Sequence, residues 1–92
     1  MARARFELGR TVATPGALEA FTRTGEAPLP FLARHADGNW GQVDDHDKAE
    51  NDLSVERGFR ILSAYRLADD TIIWIITEAD RSSTTILIPE EY

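Results

Sequence analysis

Polar and apolar positions change period along this chain, and the changes mark its elements. Between Arg5 and Thr14 the apolar residues are Phe6, Leu8 and Val12, set among polar ones. That spacing predicts a first strand, with Gly9 as a bulge or a point of close backbone approach. Thr14-Pro15 then reads as a helix start, a side-chain oxygen at the cap followed by proline at the first helical position. Ala17, Leu18 and Phe21 follow at helical spacing, and Gly25 is suited to end the helix. Glu26-Ala27-Pro28-Leu29-Pro30 forms a rigid connector, and a short second helix over Pro30 to Ala36 packs Phe31 and Leu32. Asp37 to Gly41 is a loop. Asp44 caps a third helix that runs to about Arg57 with Asp45 and Asp47 near its positive end. Its apolar face is thin, mainly Ala49, Leu53 and Val55. Gly58 closes it.

From Phe59 the period becomes that of strands. Phe59–Leu67, Thr71–Thr77 and Ser83–Ile88 hold most of the β-branched and aromatic residues, separated by a turn at Ala68-Asp69-Asp70 and a loop from Glu78 to Arg81. Pro89 ends the last strand, having no N–H for the ladder. The expected fold is α+β: an N-terminal strand, two or three helices on one face, and a C-terminal three-stranded antiparallel meander. Phe6, Leu18, Phe21, Phe31, Leu32, Phe59, Ile61, Tyr65, Ile72, Trp74, Ile76, Ile86 and Ile88 are its expected core. Strands two and three of the meander are apolar on both sides, which calls for cover on both. The face assigned to the outside carries Leu62, Ile73, Ile75 and Leu87 beside Arg60 and Arg66. An apolar patch of that kind tends to mark an interface. A homodimer joined face to face through those four residues is therefore expected. The alternative is that the third helix or the N-terminal segment wraps round and covers it, with Val43, Leu53 and Val55.

Length and charge narrow the field. The 92 residues make a single domain, 1–92, with no cysteine for a disulfide framework or a thiolate nucleophile. No apolar run approaches the ~20 residues of a membrane span, and no apolar signal core follows the basic start Met1-Ala2-Arg3-Ala4-Arg5. The expected setting is cytoplasmic. A net charge of −6 opposes direct contact with a nucleic-acid backbone and favours a partner with a basic surface.

Several constellations are candidates for chemistry. Asp37 to Glu56 contains seven acids (Asp37, Asp44, Asp45, Asp47, Glu50, Asp52 and Glu56) against Lys48 as the single base. Asp44, Asp45, Asp47 and Glu50 are the candidate partner-binding residues, a surface that mimics phosphates, with Trp40 as an aromatic anchor. The plainer interpretation is a solvated helix whose acids favour its N-terminus, with Trp40 capping the core. Glu78, Asp80 and Arg81 share a loop between two apolar strands, where a carboxylate pair with an arginine has the makings of acid, base and anion clamp. The alternative there is an ion pair plus turn chemistry at Asp80. His35 and His46 match no metal-ligand spacing, so no metal is expected, and no cofactor either, since no phosphate-cradling glycine loop is present.

Two stretches also resemble a known family. Arg34-His35-Ala36-Asp37-Gly38-Asn39-Trp40-Gly41 with Asp47 and Asn51, then Arg60 to Tyr65, then Trp74 to Thr85 and the closing Pro89-Glu90-Glu91-Tyr92, are similar to segments of a family of small proteins from bacterial plasmids and other mobile elements. The pattern departs at Asn39, where aspartate is commoner, and at Asp70, where glycine is. Some members are labelled restriction–modification subunits; this chain is too short for a methyltransferase. The resemblance implies no particular activity. It implies a mobile-element setting, in which small acidic proteins include inhibitors of host defence. The order strand, helices, three antiparallel strands is also similar to the RelE/ParE-type toxins, although those are usually basic. The expectation is a small acidic binding protein, non-enzymatic, that occupies a host nucleic-acid-binding or defence protein. The alternative is a toxin-like ribonuclease or a degenerate relative using Glu78, Asp80 and Arg81.

Overall fold

The computed structural model describes residues 4–92; Met1, Ala2 and Arg3 of the basic start lie outside the described residues. The fold is α+β, as expected. Its elements are β1 (Arg10–Ala13), α1 (Pro15–Thr24), α2 (Pro28–Ala36), α3 (Asp45–Arg57), β2 (Ile61–Arg66), β3 (Ile72–Thr77), β4 (Ser83–Leu87) and a terminal 3₁₀ turn, Pro89–Glu91. The local signals place most boundaries. Thr14 caps α1 through a bond from the Ala17 amide, and Gly25 ends it at φ 73°. Asp44 accepts from the Asp47 amide at 2.8 Å to cap α3, and Gly58 ends that helix at φ 75°. α2 begins at Pro28, two residues earlier than expected, because Pro28 is itself an acceptable first-turn residue.

The sheet has the order β1-β4-β3-β2. β2, β3 and β4 form the antiparallel meander, and β1 lies parallel to β4 at the edge. Helices α1 and α2 cover one face, where Ala17, Ala20, Phe21 and Phe31 meet Tyr65, Leu67, Ile73, Ile75 and Ile86. This inner face overturns the expected assignment of β3. Ile73 and Ile75, expected outside with Leu62 and Leu87, are fully buried beneath the helices. Ile72, Trp74 and Ile76, expected inside, share the outer face with Leu62, Ala64, Arg66, Thr85 and Leu87.

The cause is the β2–β3 turn. Leu67 donates to the Thr71 carbonyl at 2.8 Å and accepts from the Asp70 amide at 3.0 Å. The loop is thus the three residues Ala68, Asp69 and Asp70, with Asp70 at φ 70°, the form in which a left-handed residue closes the turn. A loop of odd length pairs odd-numbered residues with odd: Tyr65 faces Ile73 and Ser63 faces Ile75. One residue more or less would have turned β3 over. Asp70 is a non-glycine residue in this left-handed position, which aspartate tolerates better than most. Phe59 and Leu18 also leave the expected core, at 53% and 51% exposure.

The free edge of β2 is closed by two devices. Trp40-Gly41-Gln42 runs alongside it, with Ala64 N–H donating to the Trp40 carbonyl and Gln42 N–H to the Ala64 carbonyl. One position on, the Asn51 side chain of α3 donates to the Leu62 carbonyl at 2.8 Å and accepts its amide at 3.2 Å. An edge that would otherwise present bare peptide groups is thereby paired. Gly41 makes the close approach possible: a Cβ there would lie 2.1 Å from the Ala64 carbonyl oxygen, at φ 77°. Gly25 has a similar φ and open space around it. Gly25→Ala should therefore cost only the left-handed penalty, about 1–2 kcal/mol. Gly41→Ala should cost roughly 3 kcal/mol or more, because the clash adds to that penalty. Urea unfolding of the two variants side by side checks the difference.

Candidate functional site

A chain of hydrogen bonds crosses the interior at His35. The ring lies between α2 and the sheet, fully buried. Its Nδ1 is 2.5 Å from Ser63 Oγ on β2 and its Nε2 is 2.9 Å from Thr77 Oγ1 on β3. Thr77 Oγ1 is 2.7 Å from Thr84 Oγ1 on β4, which donates to the Leu8 carbonyl at 2.7 Å. That carbonyl can only accept, so the direction follows as far as the ring. Thr84 donates to Leu8, Thr77 to Thr84, and His35 Nε2–H to Thr77. In the neutral ring, which burial favours, Ser63 Oγ–H donates to Nδ1. Burial, with the Arg81 charge adding to it, brings the His35 pKa down to about 4. His35 is thus a core histidine. Ser63, Thr77 and Thr84 are fully buried with it. The Ser63–His35 contact has the atoms of a hydrolase dyad, but a nucleophile must reach its substrate. Here the pair serves packing.

Trp40 belongs to the same core. It is 4% exposed, its ring stacks on Phe6 at 6.1 Å and meets the His35 edge at 5.9 Å, and its Nε1 donates to Asp52 at 3.1 Å. It caps the core, which removes it as an exposed anchor for a partner.

The acids of α3 do stand outside. Asp44, Asp45, Asp47 and Glu50 are all exposed. Among the described residues Asp44, Asp45 and Asp47 form no ion pair, while Glu50 has only His46 at 3.7 Å. The helix buries polar residues in place of apolar ones, Asn51 and Ser54, and Leu53 is 40% exposed. Asp47 and Glu50 flank a cleft of about 200 Å³ beside Arg60 and Leu62 of the outer sheet face. His46 is on α3 and far in role from buried His35; among the described residues no group of three or more His, Cys, Asp or Glu is placed to hold a metal ion.

Glu78, Asp80 and Arg81 take separate partners. Glu78 pairs with Arg60 at 3.3 Å. Asp80 accepts from the Ser82 amide at 3.0 Å, and the Ser82 hydroxyl and amide together hold its carboxyl below the usual range. The Arg81 guanidinium donates to the carbonyls of Phe59, Glu78, Ala79 and Ser54 at 2.7, 3.1, 3.2 and 2.8 Å. It is a clasp that joins the end of α3 to the start of β2 and to its own loop. Nη1 and Nη2 are both turned to backbone carbonyls rather than to a bound anion, and the three side chains form no common acid–base centre.

The outer sheet face is dressed by the chain itself. Glu91 accepts from the Thr14 hydroxyl and from the amides of Gly16 and Ile88 at 3.0 and 3.1 Å. This pins the terminal turn and lays Tyr92 against Trp74, 5.5 Å between centroids, with Arg60 donating to the phenol oxygen at 3.1 Å. Ile76 and Leu87 are each only 5% exposed as a result. The face-to-face dimer through Leu62, Ile73, Ile75 and Leu87 loses its basis: two of the four are core, Leu87 is covered, and Leu62 is half-buried beside α3. Asn51, Glu91 and Tyr92 carry no local signal as structural pins, because Leu62, Gly16 and Trp74 lie far from them in the chain. No protein-family model, curated protein or solved structure matches this chain. Among the described residues no helix is long and apolar enough to cross a membrane.

The buried neutral His35 makes stability sensitive to mild acid. The unfolded chain protonates its histidine near pH 6.5, the folded one only near 4. Stability is therefore full above pH 6.5 and falls as the pH drops through that window. The expected loss is about 1 kcal/mol by about pH 5.5, where ordinary carboxylates are still ionised, and roughly 3 kcal/mol by pH 4. Urea unfolding of wild type and His35→Gln at about pH 7.5 and 5.5 checks this. The variant should be less stable at the higher pH and lose less on acidification.

Proposed function

We propose that the protein is a small acidic binding module of mobile-element origin that occupies a basic surface on a host nucleic-acid-binding or defence protein. The observation that carries this reading is the outward face of α3. Asp44, Asp45, Asp47 and Glu50 are exposed on a helix that is fixed to the sheet edge by Asn51 and to the Arg81 clasp by the Ser54 carbonyl. Charge held on a rigid element is pre-organised, so a partner's cations meet it without an ordering cost. Such a surface supplies steering and specificity more than raw affinity. The net charge of −6 acts in the same direction, and the resemblance to small mobile-element proteins supplies the setting. Trp40 takes no part in the contact; it supports α3 from beneath through Asp52. The toxin-like alternative has no structural observation in its favour, because Arg81 is committed to carbonyl oxygens and Glu78 to Arg60.

The test begins with capture of the partner from a bacterial lysate on immobilised protein, followed by titration of the purified pair at several salt concentrations. Asp44 is left in place as the helix cap. The triple variant Asp45→Lys, Asp47→Lys, Glu50→Lys should weaken binding by at least about tenfold and flatten its salt dependence. Affinity that is unchanged in the triple variant, or independent of salt in the wild type, would overturn the reading.

A further inference from the structure

The two edges of the sheet are finished differently. On β2 the outward peptide groups of Leu62 and Ala64 are taken by Asn51, Trp40 and Gln42. On β1 they are not. Arg10 N–H donates to the Ser82 carbonyl at 3.0 Å and Thr14 N–H to the Ile86 carbonyl at 2.9 Å. In a parallel ladder this phase points the amides and carbonyls of Arg10 and Val12 toward β4 and those of Thr11 and Ala13 away from it. The sheet ends at β1, and among the described residues no strand pairs with its outer side. Arg10, Thr11 and Val12 are exposed, Val12 at 40%. The strand has no proline and no lysine, and Arg10 is its only charge, so it carries few of the features that keep an edge from pairing.

We propose that the β1 edge pairs with the β1 edge of a second copy of this chain, antiparallel about a two-fold axis at Val12. A row of outward peptide groups is matched in register by an extended strand, and the spacing makes the edge complementary to itself. With Val12 opposite its own symmetry mate, Thr11 of each copy faces Ala13 of the other. Both of those residues point their groups outward, so the two become hydrogen-bonded pairs, and every outward group of the strand finds a partner. Val12 meets Val12 at the closer, non-bonded position on the outer face, which shields its exposed side chain. The two sheets become one, with closed two-fold symmetry. The pairing is short, so association is weak and concentration-dependent. Each copy carries a charge of −6, so the long-range field opposes it and added salt strengthens it. Salt has the opposite effect on capture of a basic partner by α3, and the two proposals therefore fail separately.

Sedimentation of the full chain from about 10 μM to about 1 mM, at low and at moderate salt, reads the association directly. The mass should rise toward that of a dimer, more so with salt. Thr11→Pro removes an N–H that points outward, leaves the ladder to β4 intact, and should weaken association by at least about tenfold. Val12→Lys sets two cations against each other and should do the same. Amide exchange in the wild type gives a readout that needs no variant. Thr11 and Ala13 should exchange quickly in dilute solution and become protected as concentration rises, while Val12, bonded to β4, is protected throughout. A monomer at about 1 mM in moderate salt overturns the proposal and leaves this edge to an extended segment of another protein. A dimer in which Thr11 exchange does not change with concentration, or which folded Thr11→Pro and Val12→Lys leave undiminished, overturns it as well.

Discussion

The carbonyl of Leu8 sets the order of the interior. Because it can only accept, it orients Thr84, then Thr77, then the Nε2–H of His35, whose Nδ1 meets Ser63, and so one run of hydrogen bonds joins the N-terminal segment, β4, β3, α2 and β2. In a small domain the apolar core is modest, and a polar group left without a partner inside it costs about 1–3 kcal/mol. The run has no loose end: among the described residues no buried side-chain nitrogen or oxygen lacks a hydrogen-bond partner. Aromatic packing seals it, with Phe6 and Trp40, stacked on each other, both against the His35 ring. Burial of the same run holds His35 in the neutral form, so the polar interior that fixes the strands relative to α2 is also what makes the fold acid-sensitive.

The same demand for pairing explains α3. A helix with no apolar face gains little from burial, yet this one is held firmly because its inward side chains replace a missing strand. Asn51 answers one residue of the β2 edge, and the Ser54 carbonyl receives Arg81 from the loop across the sheet end. Docking by hydrogen bonds rather than by hydrophobic contact leaves the rest of the helix surface unconstrained. It is filled with acids. The structural role of the helix and the proposed binding role of its outer surface therefore use different residues of one element.

Both candidate surfaces arise from what the chain covers and what it leaves. The terminal turn, pinned by Glu91, lays Tyr92 and Arg60 over the aliphatic residues of the outer face. That face is consequently less apolar than the strand sequences imply, and among the described residues no strand pairs with the outer side of β1.

Local chemistry determined the elements. Thr14-Pro15, Gly25, Asp44, Gly58 and Pro89 act on their own backbone within a few residues, so their effects are visible in the sequence and most helix and strand limits follow from them. The acidic character of α3 is equally local. Which side of β3 turns inward was decided elsewhere. Ile72 to Ile76 is apolar on both sides, so its composition is neutral on the question, and the odd length of the Ala68–Asp70 loop settled the parity. The roles of His35, Trp40, Asn51 and Arg81 were likewise open. Ser63 lies 28 residues from His35 and Leu8 lies 76 from Thr84. No spacing rule links groups so distant; only the packed sheet brings them within hydrogen-bonding reach and excludes the water that would otherwise satisfy them.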